Sequence, residues 1–359
     1  MSSSITGNNI FDFGLKVFLL ICPIVYVGGL PAKDVQLQCF IIGVMILFGL
    51  SLLAEQKREY VNVRLGLFFL WVIVNIICYK FHPVVIAGAT QVFLGLLLFY
   101  LILIYVQPTD AMISWLLLLI PLNVIVVAMQ LVGHDFINKS FANVCGLMQS
   151  PSHLGTIMVL LAPLAIAKKW WFVFPALFCL FAARSVTPMF GMAGAIAFYY
   201  WHKGRNKWLI SCLAITIAGA GFILNTFSFV KLKFLGRLEI WEQALQIAFT
   251  KPLQGMGIGT FPQISKSFHS IHDGWWEMPQ NVYIGVVFAL GVTGLILLLS
   301  YIFDFYKRVR PHFSNPKVLP FAASLVGLLI IMLGQSCMEY TRIFVPAIAI
   351  VAFTEINLL

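Results

Sequence analysis

The sequence predicts an all-α polytopic membrane protein of about twelve transmembrane helices, and three observations predict it. Of the 359 residues, 61% are hydrophobic and 10% are charged. A soluble domain carries about 25% charged residues and needs them to keep a water-facing surface. Mean hydropathy is +0.95. Apolar runs of about 17 to 22 residues recur along the chain, each long enough to cross roughly 30 Å of hydrocarbon as a helix. The short alternating segments of a β-barrel are not seen.

Taken in order, six spans are expected near residues 14–30, 36–54, 63–79, 84–106, 111–133 and 153–167. The first lacks the basic start of a secretion signal: it carries Asp12 and a lone Lys16, and Gly-Gly-Leu-Pro-Ala at 28–32 is a poor cleavage site. It therefore reads as an uncleaved helix. Six more spans follow near 170–183, 187–201, 208–224, 281–303, 318–336 and 343–358, of which 170–183 is short. Pro23, Pro121, Pro163 and Pro346 fall inside spans, so neighbouring helices must bond the carbonyls they release.

Lys and Arg placement sets the expected orientation. The basic connectors are Lys57-Arg58 with Arg64, Lys168-Lys169, Lys203 with Arg205 and Lys207, and Lys307-Arg308 with Arg310. A twelve-span count puts all four on one face, which the positive-inside rule makes cytoplasmic, together with both termini. The opposite face then holds 134–149, 184–186 and the large periplasmic loop 225–280, within one integral membrane domain over 1–359. Topology explains much of the net charge of +10, so the charge is no signal for nucleic acid. The seven cysteines form no CxxC and the seven histidines no HExxH, so no metal site is expected.

Residues 237–294 are the place with room for chemistry outside the bilayer. The segment opens with RLEIWEQAL, continues through PLQGMGIGTF and closes with QNVYIGVVFALGVTG. Arg184 stands in AARSVTPMFG at a span boundary, where an arginine is commonly a snorkelling anchor. Arg237 has Glu239 and Glu242 near it as possible partners. Both arginines nevertheless lie on the face away from the topological anchors. A guanidinium pair there suits a phosphate or diphosphate, each charge-assisted bond being worth about 1.5–3 kcal/mol. The glycine cluster follows no strand and lies on the outer side, so it reads as tight turns folding back on the membrane rather than a nucleotide loop. Gly291 and Gly294 are expected to allow close helix packing.

The order of these motifs resembles the O-antigen ligase and polymerase family. CGLMQSPSHLGTIMVLLAPLAIA at 145–167 is similar to the family's glycine and Asn/Gln-Pro-type turn leading into a helix. AARSVTPMFGMAGA at 182–195 resembles the Ser-Arg start of the next block, and 237–261 matches in its Arg, Trp, Pro and glycine cluster. QNVYIGVVFALGVTG at 280–294 matches the family's His-Asn/Ser/Gln, nine residues, Gly-x-x-Gly signature except at its first position.

The resemblance implies a GT-C-like fold with a periplasmic loop over a membrane-facing cavity. It implies a glycosyltransferase of surface-polysaccharide assembly in the bacterial inner membrane, active on the periplasmic face without a cofactor or metal. A polyprenyl diphosphate-linked glycan is the donor and a lipid-linked molecule the acceptor, and polymerisation is preferred over ligation. Arg184 and Arg237 take the family's diphosphate-contacting roles. Gln280 replaces the usual histidine, and an amide bonds a hydroxyl but takes no proton at neutral pH. Glu277 and His272 are the substitute candidates, with Asp273 beside them. Trp275, Trp276 and Asn281 are candidate substrate contacts, although tryptophan also belongs to the interfacial belt. A transporter or lipid-linked oligosaccharide flippase is the alternative, and the scarcity of charge within the apolar runs argues against it.

Overall fold

The computed structural model describes residues 7–23, 32–54, 62–106, 110–134, 144–148, 150–204, 219, 227–268, 278–336 and 341–358. These residues form α1 (Gly7–Ile21), α2 (Ala32–Ser51), α3 (Val63–Cys78), α4 (Pro83–Tyr105), α5 (Asp110–Leu117), α6 (Leu119–Leu131) and α7 (Pro151–Lys168). They continue as α8 (Val173–Ala182), α9 (Val186–His202), α10 (Phe227–Ala248), α11 (Val282–Val309), α12 (Leu319–Met332) and α13 (Thr341–Ile356). Among the described residues there is no strand.

The all-α, multi-pass class stands; the count of about twelve spans, with the GT-C-like arrangement tied to it, does not. Among the described residues, 4 helices are long and apolar enough to cross a membrane: Pro83–Tyr105, Asp110–Leu131, Pro151–Lys168 and Val282–His312. Phe40–Ser51, Val63–Cys78, Trp170–Ala182, Leu319–Met332 and Ile343–Ile356 are apolar but only 10–17 residues long. At about 1.5 Å per residue they reach roughly 15–25 Å, short of a 30 Å hydrocarbon layer. The reason for the overcount is that hydropathy accumulates straight across backbone breaks. The run at 170–183 is a 3-10 turn, Trp170–Phe172, followed by a helix of 10 residues. In the run at 318–336 the helix ends at Met332, and Gln335 and Ser336 are no longer helical. The span expected at 208–224 lies, apart from Gly219, outside the described residues. The segment 225–280, expected as a loop, opens with the 22 residues of α10.

The core centres on α7, whose residues from His153 to Ala165 are all buried. It packs against α8, α9, α12 and α13. Pro163 interrupts its bonding ladder, and Ser324 Oγ of α12 donates to the neighbouring Leu160 carbonyl at 2.7 Å. The carbonyl that Pro163 leaves without its helical partner is that of Val159, one residue earlier, so the hydroxyl ties α12 to α7 beside the proline.

The helix α11 is broken. Gly291 sits inside it with φ 69° and ψ −175°, which removes the usual partners of the preceding carbonyls. The glycine-rich loop at 252–260 and helix α3 supply replacements. Met256 N–H donates to Phe288 O at 2.6 Å, Gly257 N–H to Ala289 O at 3.0 Å, and Trp71 Nε1 to Leu290 O at 2.9 Å. In return Val292 N–H donates to Pro252 O at 2.8 Å. Asn75, fully buried, ties the loop to α3: its Nδ2 donates to Gln254 O at 2.8 Å and its Oδ1 accepts from Ile258 N–H at 3.3 Å. Tyr79 Oη donates to Gly255 O. The expected tight turns are present, but they fold into a helix break rather than merely back toward the membrane. Gly291 marks that break, beyond the helix packing expected of it.

The basic ends of the helices form their own cluster. Arg64 Nη1 donates to Ser300 O at 2.9 Å and its Nε lies 3.5 Å from Asp304. Arg308 bridges Asp304 at 3.2 Å and also pairs with Glu355, which is 1% exposed. Removing one partner of such a pair leaves a buried charge uncompensated, at a cost of about 3–5 kcal/mol when fully buried and less here because Arg308 is partly exposed. Arg308→Met is therefore expected to lower the melting temperature of the detergent-purified protein by several degrees. Arg308→Lys should lower it less. An unchanged melting temperature in Arg308→Met would show that the pair is solvent-screened.

Candidate functional site

The site lies at the ends of α9 and α11 remote from their basic termini. α11 runs from Asn281 to Lys307 and Arg308, and α9 runs from the Arg184 turn to His202 and Lys203. The four segments singled out in the sequence meet at the site end.

The first segment forms the start of α7. Gln130 Oε1 accepts from Cys145 N–H at 3.0 Å and Gly146 N–H at 2.8 Å, and Asn123 Oδ1 accepts from Leu147 N–H at 2.9 Å. Ser150 then caps α7, with Pro151 in its first turn, the position a proline tolerates best. A Cβ built on Gly155 would fall 2.6 Å from Pro188 Cβ, so the start of α7 lies directly against the start of α9.

The second segment is the α8–α9 turn. Arg184 is exposed there, with φ 49°, and its backbone N–H donates to Phe181 O at 3.1 Å. Three residues later Thr187 adjoins Gly334: a Cβ on Gly334 would lie 3.2 Å from Thr187 Cγ2 and 3.9 Å from Arg237 Nη1.

The third segment is α10. Ile240, Ala244 and Ala248 repeat at helical spacing and pack with Phe261, Val287 and Phe288. That stripe fixes the rotation of α10 and brings Arg237 and Trp241 to the start of α11. Arg237 Nη1 donates to Gly334 O at 3.0 Å, and Trp241 Nε1 donates to Pro279 O at 2.6 Å.

The fourth segment is the entry to α11. Asn281 is its N-cap: Oδ1 accepts from Ile284 N–H at 3.1 Å while Nδ2 donates to Leu333 O at 2.8 Å. Gln280, half-buried before it, has φ 52°. Among the described residues the non-glycine residues with positive φ are Lys80, Phe81, Arg184 and Gln280. Two of those four are candidate site residues, and such backbone costs about 1–2 kcal/mol per residue, a strain that concentrates at functional positions.

Arg237 and Asn281 thus bind the consecutive carbonyls Gly334 and Leu333, with Thr187 alongside. Of the sequence candidates, Arg237, Gln280 and Asn281 are gathered in one place, and Arg184 stands on the adjoining turn. His272, Trp275, Trp276 and Glu277 lie outside the described residues. The stretch Leu333–Ser336, against which the others assemble, carries no motif, and only its position after an apolar run could have drawn notice. Among the described residues no cluster of three or more His, Cys, Asp or Glu is placed to hold a metal ion.

Comparison with known proteins gives a family match over part of the chain. Residues 171–299 match the family model described as O-antigen ligase, which takes in Arg184, Arg237, Gln280 and Asn281. The chain is also similar to the O-antigen ligase of Pseudomonas aeruginosa, 32% identical over 139 residues, which are 37% of this chain and 33% of that protein. The chain therefore spans about a third of the length of the curated relative it matches.

Proposed function

We propose, from the O-antigen ligase family domain that the chain carries, that it is a glycan-transfer enzyme taking glycan from a polyprenyl diphosphate donor to a hydroxyl on a lipid-linked acceptor. The observation that carries this reading is the gathering of Arg237, Asn281 and the Arg184–Thr187 turn on one short stretch of backbone. Attack by the acceptor oxygen on the anomeric carbon breaks the bond to the diphosphate, so negative charge grows on the leaving lipid diphosphate. Arg237 and Arg184 are the groups suited to receive it, because preorganised cations aimed at developing charge stabilise the transition state more than the ground state. Gln280 orients the acceptor hydroxyl without taking its proton. Glu277 and His272 are the candidate bases, and Trp275 and Trp276 the candidate stacking surfaces. The active face is periplasmic in this reading, since the site end is opposite the basic connectors.

Ligation and polymerisation share this chemistry and differ in the acceptor. The test is purified protein in liposomes supplied with lipid-linked donor and each acceptor in turn. New glycosidic bonds, lost or cut at least tenfold in Arg184→Ala with normal protein levels, are the expected result. Donor moved between leaflets with its glycan intact would identify a flippase and overturn the proposal.

A further inference from the structure

Beyond the two carbonyls that Arg237 and Asn281 engage, the next two side chains are polar, buried and unpaired. Gln335 is 3% exposed and Ser336 is 1% exposed. Among the described residues, neither Nε2 nor Oε1 of Gln335, nor Oγ of Ser336, has a hydrogen-bond partner. Buried polar groups are almost always satisfied, and leaving three such atoms unpaired on adjacent residues carries a desolvation cost that apolar side chains would avoid. The remainder of this helix end is apolar (Ile331, Met332, Leu333), so packing alone asks for no amide or hydroxyl here.

The chemistry of the pair is specific. A carboxamide both donates and accepts, and so does a hydroxyl, while neither carries charge. That combination fits a ligand surface of hydroxyl groups and is a poor match for a diphosphate, which calls for cations such as the neighbouring Arg237. Thr187 adjoins Gly334 and Asn281 bonds Leu333 O, so Gln335 and Ser336 directly follow the backbone at which a donor headgroup would sit.

We infer that Gln335 and Ser336 form a sugar-binding subsite beside Arg237, hydrogen-bonding the hydroxyls of the donor glycan next to its diphosphate. This rests on the glycan-transfer reading. It adds a recognition element that lies outside the matched residues 171–299. Because the subsite is built to bond hydroxyls, a ligand that lacks them leaves these atoms unpaired and is rejected, the usual origin of strong polar selectivity.

The test is equilibrium binding by native mass spectrometry of the full chain in nanodiscs. The probes are undecaprenyl diphosphate and the lipid-linked glycan extracted from the native host. The wild type should bind the glycan-bearing lipid more tightly than the bare one. Gln335→Met and Ser336→Ala should each weaken the glycan-bearing lipid by about 10-fold, as expected for one or two lost hydrogen bonds, and leave the bare lipid within about twofold. Their melting temperatures should equal or exceed the wild-type value, since apolar atoms replace unpaired polar ones, an outcome that a structural role would not give. Equal weakening of both lipids, or of neither, overturns the subsite while leaving the transfer reading intact if Arg237→Ala still loses both. Wild-type protein that binds neither lipid overturns both. If Gln335→Met does not accumulate, Ser336→Ala alone decides the same comparison.

Discussion

Replacing Arg237 with alanine should reduce glycan transfer by at least about 100-fold without comparable loss of folded protein. The guanidinium has five N–H donors in a planar fork, one of which is anchored on Gly334 O at 3.0 Å. That anchor fixes the plane of the fork, and a fork fixed before the reaction need not reorganise as charge develops on the leaving group. Arg237→Lys should recover little. An ammonium is a single point charge on a flexible stem and cannot hold the carbonyl while spanning two phosphate oxygens. The measurement is the rate of product formation in liposomes, read beside the melting temperature. Transfer at the wild-type rate in Arg237→Ala would remove the residue from the chemistry, and a collapse of melting temperature would reassign it to packing.

Gly291→Ala should cause the largest loss of stability among single methyl additions. A Cβ there would stand 2.3 Å from Leu253 O and 2.7 Å from Pro252 O, and the backbone has φ 69°. The left-handed conformation costs alanine about 1–2 kcal/mol. Overpacking against main-chain atoms, which cannot rotate aside, adds roughly 1–3 kcal/mol. Together they should expel the loop at 252–260 from the α11 break and leave the Phe288 and Ala289 carbonyls without their amide partners. The expected readout is loss of monodisperse protein on size exclusion or a markedly lower melting temperature. Gly66→Ala is the control, because nothing lies within 4 Å of its added Cβ and alanine favours helix. Equal behaviour of the two variants would show that the loop does not hold the break.

What the sequence revealed followed from which signals are local. Arg237, Gln280 and Asn281 were legible because each belongs to a motif whose order along the chain is distinctive. The number of spans was not legible, because hydropathy measures composition and is blind to a turn such as Trp170–Phe172 inside an apolar run. The glycine cluster was legible as turns but not as the plug of a broken helix, since its partner carbonyls lie about 30 residues further on, a pairing that no local pattern encodes. Gln335 and Ser336 were invisible for the simplest reason. Two polar residues closing an apolar stretch look like any helix end, and only burial without partners sets them apart.

The break at Gly291 divides α11 into two mechanical parts. The nine residues from Val282 to Leu290 are joined to the glycine loop through the Met256 and Gly257 amides, and the same loop is joined to the shaft beyond the break by Val292 N–H on Pro252 O. The break turns the Phe288 and Ala289 carbonyls, which an unbroken helix would bond internally, into attachment points that hold the loop following α10 beside the segment capped by Asn281.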